Sequence, residues 1–245
     1  MALDFHSPRF AGDPVLEAIL NDPDTGTERL QPGSPPDSVM RVQKALFDLG
    51  WTYRITPPVE QEGAFVDGVY GSRTDETVLA YKRHYDIRFP PGAPTGFFDG
   101  FAGPRTLRRL DRHCVLLDEA VAAIDAKVAE LQATGLSVVP DPTVGAVPLD
   151  RTPGVARIAD IDGTLGAIFY KRGFGASEVH GNIHSEYLER GWPQGALGFP
   201  VTDEHDDEPG FRRSDFEYGT LRCDLSTGAV TVSGSAATEE EQVLF

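Results

Sequence analysis

The chain has 245 residues, 40% of them hydrophobic and 24% charged, with a formal net charge of −16. That length holds one large or two small domains, and the composition is that of an ordinary folded chain with room for real cores. The charge is lopsided, −3 over residues 1–113 and −13 over 114–245. So acidic a chain repels phosphate backbones and anionic lipid head groups, which excludes a nucleic-acid partner. No apolar run is long enough to span a membrane, and the opening MALDFHSPRFAGDP lacks a basic-then-apolar leader, so synthesis in the cytoplasm without a signal peptide is expected.

Residues 1–36 are rich in Pro, Gly and Asp and carry one short helical pattern, Pro14 to Asn21, with Val15, Leu16, Ile19 and Leu20. They read as an extension that docks on the remainder. A helix is predicted over about Ser38 to Leu49, with Val39, Val42, Leu46 and Leu49 on one face and Gly50 as its stop, and another over about Arg73 to Tyr85, with Val78, Tyr81 and Tyr85 together. Ser72 and Asp75 have the spacing of a capping box. Between these helices, residues 52–65 form a loop too polar and proline-marked for the core.

The pattern Asp-Gly-x-x-Gly-x-x-Thr occurs twice, as Asp67, Gly68, Gly71 and Thr74, and as Asp99, Gly100, Gly103 and Thr106. Each copy reads as a tight turn that launches a helix, the second through Pro104 at the first helical position. From Leu107 the spacings 3, 4, 3, 4, 3, 4, 3 run through Leu110, Cys114, Leu117, Val121, Ile124 and Val128 to Leu131. Without Pro or Gly until Gly135, this is one helix of about 30 residues, roughly 45 Å long. Two covers suit its seam: another part of the same chain, or a second copy paired through residues 107–131 as a homo-oligomer.

Residues 136–155 carry four prolines and read as a linker. Beyond it, GTLGAIFYKRGF and GNIHSEYLERGW share a pattern at an offset of 18, each a short helix closed by a glycine, Gly173 or Gly191. The stretch FEYGTLRCDLSTGAVTV reads as a hairpin. The chain therefore parses into a docking extension (1–36), a helical domain (37–113), the continuation of the long helix (114–135), a linker (136–155), a small mixed domain (156–234) and an acidic tail (235–245). The fold class is α+β.

No catalytic constellation emerges. His180 and His184 are spaced four apart, but Gly181 and Asn182 weaken the intervening helix, and DEHDDE at 203–208 reads as a solvated acidic loop. DIDG at 160–163 lacks the later ligands of a calcium loop. Cys114 and Cys223 are expected as buried free thiols. Nothing calls for a metal or cofactor. Sugar recognition needs aromatic faces flanked by polar groups, for which Tyr70, Arg73, Phe101, Tyr187 and Trp192 are the candidates; Tyr81 and Tyr85, on the apolar helical face, suit a core better.

Three resemblances add to this reading. VMRVQKALFDLGW, DGVYGSRTDETVLAYKRHYDI and DGFAGPRTLRRLD, over residues 37–113, resemble the peptidoglycan-binding-domain-1-like family, with the inserted loop 52–65 and YKRHY in place of the usual Phe-Gln as departures. Residues 181–232 look like one LGFP repeat, a module of cell-wall and envelope proteins, with Leu197, Gly198, Phe199 and Pro200 as its signature. SPRFAGDPVLEAILND is similar to the N-terminal extension of peptidoglycan-binding-like proteins of extracellular contractile injection systems. Together they imply a non-catalytic binder of peptidoglycan or another envelope glycan, or a structural adaptor that contacts the subunits of a phage-tail-like particle, released or particle-bound and acting at a bacterial cell envelope.

Overall fold

A computed structural model describes residues 3–92, 95–142, 145–149 and 154–234. Among them the chain forms five α-helices and nine strands, an α+β fold, and divides into two compact units, Met1–Leu117 and Asp118–Phe245. The tail expected at 235–245 lies outside the described residues.

In the first unit the helices are α1 (Pro14–Asn21), α2 (Pro36–Asp48), α3 (Ser72–His84) and the start of α4 (Pro104–Ala133). Asp13 caps α1, its carboxylate accepting from the Val15 and Leu16 N–H groups at 3.0 Å each. Such a cap satisfies helix donors that have no partner inside the helix. The extension does more than dock: Phe10, Leu16, Ile19 and Leu30 share one core with Val42 and Leu46 of α2, Tyr81 of α3 and Leu110 of α4. Its start is pinned by the buried Asp111, which accepts from the Ser7 N–H at 2.8 Å and the His6 N–H at 3.1 Å.

Two expectations fail here. Ser72 does not cap α3: Gly71 is the N-cap, no side chain bonds there, and Asp75 lies instead against Gly100. The loop 52–65 is not excluded from the core either, since Ile55, Val59 and Phe65 are buried. Prolines and polar residues set its path while three apolar side chains anchor it.

The second unit has two antiparallel sheets. In the first, β3 (Gly154–Ile161) pairs with β4 (Thr164–Lys171) and β4 with β5 (Gly175–His180), while β1 (Val138–Pro140) and β2 (Val147–Pro148) lie end to end along the other edge of β3. The second sheet orders β6 (His205–Asp206), β7 (Phe211–Phe216), β8 (Gly219–Asp224) and β9 (Val230–Ser233), with β8 and β9 forming the expected hairpin.

The stretch 136–155 is therefore not a plain linker, because Pro140 and Pro148 sit on short edge strands, where a missing N–H costs nothing. The unit boundary falls instead within α4. GTLGAIFYKRGF is strand β4, not a helix. Asp162 and Gly163 both have positive φ, 50° and 75°, the two-residue turn whose twist matches a hairpin. Only GNIHSEYLERGW forms the expected helix, α5 (Gly181–Glu189), followed by Gly191 in the left-handed region at φ 88°.

The register gives the first sheet two buried faces. Ala156, Ala167, Phe169 and Val179 join Ile183 and Tyr187 of α5 and Phe216 and Leu221 of the second sheet in one core. On the opposite face Val155, Ala159, Ile161 and Ile168 are also buried. The second half of α4 lies on this side: Asp125 pairs with Arg157 at 2.6 Å and Glu119 with Arg172 at 2.5 Å. Ile124 and Leu131 are buried there, Val121 and Val128 half-buried. Of the two covers the sequence allows for this seam, the chain itself supplies one.

Candidate functional site

At the first Asp-Gly turn the organising residue is Gln43 of α2, which is buried. Its Oε1 accepts from the Asp67 N–H at 3.1 Å and the Gly68 N–H at 2.9 Å. Its Nε2 donates to Asp67 Oδ1 at 2.8 Å, the Val69 carbonyl at 3.1 Å and Thr74 Oγ1 at 3.0 Å. One amide thus holds both ends of the turn, which a group with donor and acceptor on one plane can do. Burial works against ionisation of Asp67, but the bonds from Gln43 and the Val69 N–H, with the Arg73 charge, outweigh it and hold the carboxyl below the usual range.

At the second turn Lys82 of α3 stands in the corresponding role. Its ammonium meets Asp99 Oδ1 at 2.5 Å and the Phe101 carbonyl at 3.3 Å, while Asp99 accepts from the Phe101 N–H at 3.1 Å. The turns are joined by Tyr70, whose hydroxyl donates to the Gly100 carbonyl at 2.7 Å. Asp75 fills the space where a Cβ on Gly100 would lie, 2.1 Å from its carboxylate, so a side chain at residue 100 would have to displace Asp75. Burial first, then the charges of Asp99 and Glu76, raise the Asp75 carboxyl above its ordinary value. Beside this turn opens a cleft lined by Asp24, Arg29, Lys82, Asp99, Phe101 and Arg105. Arg105 Nε donates to Asp24 at 2.6 Å across it.

The aromatic candidates fare differently in this geometry. Tyr70 is buried and its hydroxyl is engaged, so it offers no face to a sugar. Phe101 borders the cleft, but the Arg29 guanidinium lies 4.2 Å over its ring. Arg73 is exposed. In the second unit Tyr187 is fully buried and donates to the Gly198 carbonyl at 2.6 Å, while Trp192 is half-buried with its ring edge on Phe169 at 5.5 Å. Tyr70 and Tyr187 are structural because each hydroxyl finds a backbone carbonyl inside the protein, a fact that spacing cannot announce.

The signature Leu197-Gly198-Phe199-Pro200 is likewise internal, all four residues being buried. The Leu197 and Phe199 carbonyls accept from the Tyr218 and Glu217 N–H groups at 3.1 and 3.0 Å, and the Phe199 N–H donates to Glu217 at 2.8 Å. Lys171 meets the same carboxylate at 2.5 Å. The segment locks the β7–β8 turn onto α5 and β4.

In the acidic run 203–208, residues 205–208 are exposed as expected, but the first two depart from expectation. Asp203 and Glu204 are half-buried members of a network built on the buried Glu178, and each carboxylate meets a cation. Asp203 accepts from the Glu178 N–H at 3.0 Å and pairs with Lys127 at 2.9 Å; Glu204 pairs with Arg212 at 2.9 Å, and its N–H donates to Glu178 at 3.1 Å. His180 Nδ1 lies 2.8 Å from Glu178. Burial opposes its charging, but Glu178 and Glu204 prevail and raise its pKa, whereas burial and the His180 charge push His184 down to about 4. Those two histidines occupy opposite electrostatic surroundings, and no group of three or more metal-ligating side chains comes together among the described residues. Cys114 and Cys223 are buried and form no disulfide.

No curated protein matches the chain. Against protein families, residues 197–239 match the LGFP repeat. The matched segment begins at Leu197, so α5, expected within the repeat, precedes it, and it continues past the anticipated end at 232. The chain carries one LGFP repeat, a cell-surface-associated module, built on the second sheet.

Proposed function

We propose that this is a non-catalytic binding protein of the bacterial cell envelope, whose ligand is peptidoglycan or another surface glycan. The observation that carries the reading is the LGFP repeat at 197–239. The two-turn helical unit supports it by its resemblance to peptidoglycan-binding modules, and the cleft beside the second turn, where Asp24, Arg29, Lys82 and Asp99 surround one edge of Phe101, supplies hydroxyl-bonding groups of both signs. Incubation of the chain with purified peptidoglycan sacculi tests it. Sedimentation with the sacculi that survives physiological salt is expected, and absence of retention even at low salt overturns it.

A second reading, a structural adaptor of a phage-tail-like contractile particle, is favoured by one specific observation: the best sugar-stacking candidates are spent internally, Tyr70 on Gly100 and Tyr187 on Gly198. Co-purification with sheath, tube or baseplate subunits separates it from the first.

A further inference from the structure

The first unit carries a cationic surface that extends beyond the Lys82–Asp99 pair of the second turn. Residues 81–113 contain seven Lys and Arg against three Asp, a net +4 within a chain of −16. All three carboxylates are engaged: Asp86 with Arg88 at 2.6 Å, Asp99 with Lys82 at 2.5 Å, and Asp111 with the Ser7 N–H at 2.8 Å. Arg105 is paired with Asp24, and Arg108 donates to the Leu20 carbonyl at 3.1 Å. Among the described residues no carboxylate pairs with Arg83, Arg109 or Arg112, of which Arg83 and Arg112 are exposed.

Arg109 and Arg112, three apart on α4, share a helix face. The Arg109 guanidinium lies 4.8 Å over the ring of Tyr85, itself 4.8 Å from His113 and 4.6 Å from His84. A guanidinium over an aromatic ring is restrained by the cation–π contact and still carries N–H donors, so less entropy is lost when a planar acceptor arrives.

We infer that the face formed by Arg109, Arg112, Tyr85, His84 and His113 is a docking surface for a short acidic polypeptide segment, whose carboxylates take the guanidinium edges. Charge complementarity selects the sign of the partner. Two further observations select its class. A pyranose needs a bare aromatic face, and the Tyr85 face is covered by Arg109. A long polyanion would also run beyond the patch onto a surface whose net charge repels it, whereas a segment of a few residues stays within about one screening length, ~8–10 Å, of the arginines. Arginine clusters joined to tyrosine are suited to such acidic motifs.

Hexaglutamate titrated into the chain, with hexaglutamine and polygalacturonate beside it, tests the assignment. Hexaglutamate binding is expected, weakening as salt rises, and falling at least tenfold in Arg109→Gln/Arg112→Gln while Arg73→Gln, an exposed cation on another helix of the same unit, retains it. The His113 ring, whose pKa burial and then Arg109 and Arg112 hold at about 4, should titrate higher with the peptide bound, a shift read by NMR that a remote site would not give. Should the double variant lose its far-ultraviolet circular dichroism signal, Arg112→Gln alone, at an exposed position, decides through a loss of several-fold. Absence of hexaglutamate binding at low salt, binding undiminished in these variants, or polygalacturonate competing at the same arginines with equal affinity each overturns the proposal.

Discussion

At the first Asp-Gly turn a neutral amide, Gln43, makes five hydrogen bonds and serves donors and acceptors alike; at the second, Lys82 can only donate and answers the aspartate with a charge. The residue after each threonine diverges too, since Asp75 follows Thr74 with a carboxylate whereas Leu107 follows Thr106 as a core side chain. One eight-residue pattern is thus stabilised by a hydrogen-bond hub in one place and by a largely buried ion pair in the other. The pattern specifies backbone shape, and the helix beside it decides the chemistry that holds that shape. The first solution holds an ionised aspartate with neutral hydrogen-bond donors. The second commits an ammonium and a carboxylate to a poorly hydrated place, where each depends on the other.

Substitutions can break this comparison or sharpen it. The largest effect is expected from Gln43→Leu, which strands the Asp67 and Gly68 N–H groups together while the exposed Asp67 carboxylate keeps its bond from the Val69 N–H, at a cost of about 3 kcal/mol in urea unfolding. Lys82→Met leaves Asp99 without its cation and should cost about 2 kcal/mol, less than for a fully buried pair because the Asp99 side chain keeps 15% of its exposure. Adding Asp99→Asn should recover much of that loss in a double-mutant cycle. Asp75→Asn is expected to go the other way. Its folded pKa is raised, so the carboxyl favours folding most below its unfolded pKa, about 3.9, and that contribution is lost as pH rises through the folded value. The variant should therefore melt higher than the parent at pH 7, with the gap closing towards pH 3. The smallest effect belongs to Lys82→Gln, which gives the second turn the first turn's chemistry and should cost under about 1 kcal/mol; a loss as large as that of Lys82→Met would show that the charge itself is required.

Much of this was legible in the sequence, and the rest was hidden for identifiable reasons. Helix periodicity located α1 to α4 because each buries one continuous face, and Gly-rich spacing located both turns. Gln43 stands inside the segment VMRVQKALFDLGW that carries the resemblance, but its role was hidden because it is one polar residue 24 positions before the aspartate it serves, and polar residues on a helix ordinarily face water. Lys82 was hidden by its neighbours in YKRHY, where a run of cations reads as a solvated face. Strands β1 and β2 were hidden by length, as two or three residues cannot show a period of two. The Asp162-Gly163 hairpin signal was present but was weighed as a metal loop, and β4, buried on both faces, alternates too little to contradict a helix. Among the candidate ligand residues, Arg73 and Phe101 proved partly or wholly accessible, while Tyr70 and Tyr187 could not be recognised as internal without knowing which carbonyls would meet their hydroxyls.

The burial of the LGFP segment bears on what such a signature can report. Leu197 and Phe199 fill the core, Gly198 at φ 69° has no room for a side chain beside Glu217, and Pro200 bridges to Phe216. Four residues committed in this way to a scaffold are free of any commitment to a ligand. The exposed apolar residues of the same unit, Leu188, Leu225 and Val232 at 48%, 58% and 39% exposure, bear none of these constraints. In a saturation library of this chain, positions 197 to 200 should accept almost nothing while those three accept most residues. A signature of this kind marks the chassis of the module, and the contacts to a ligand have to come from its other residues.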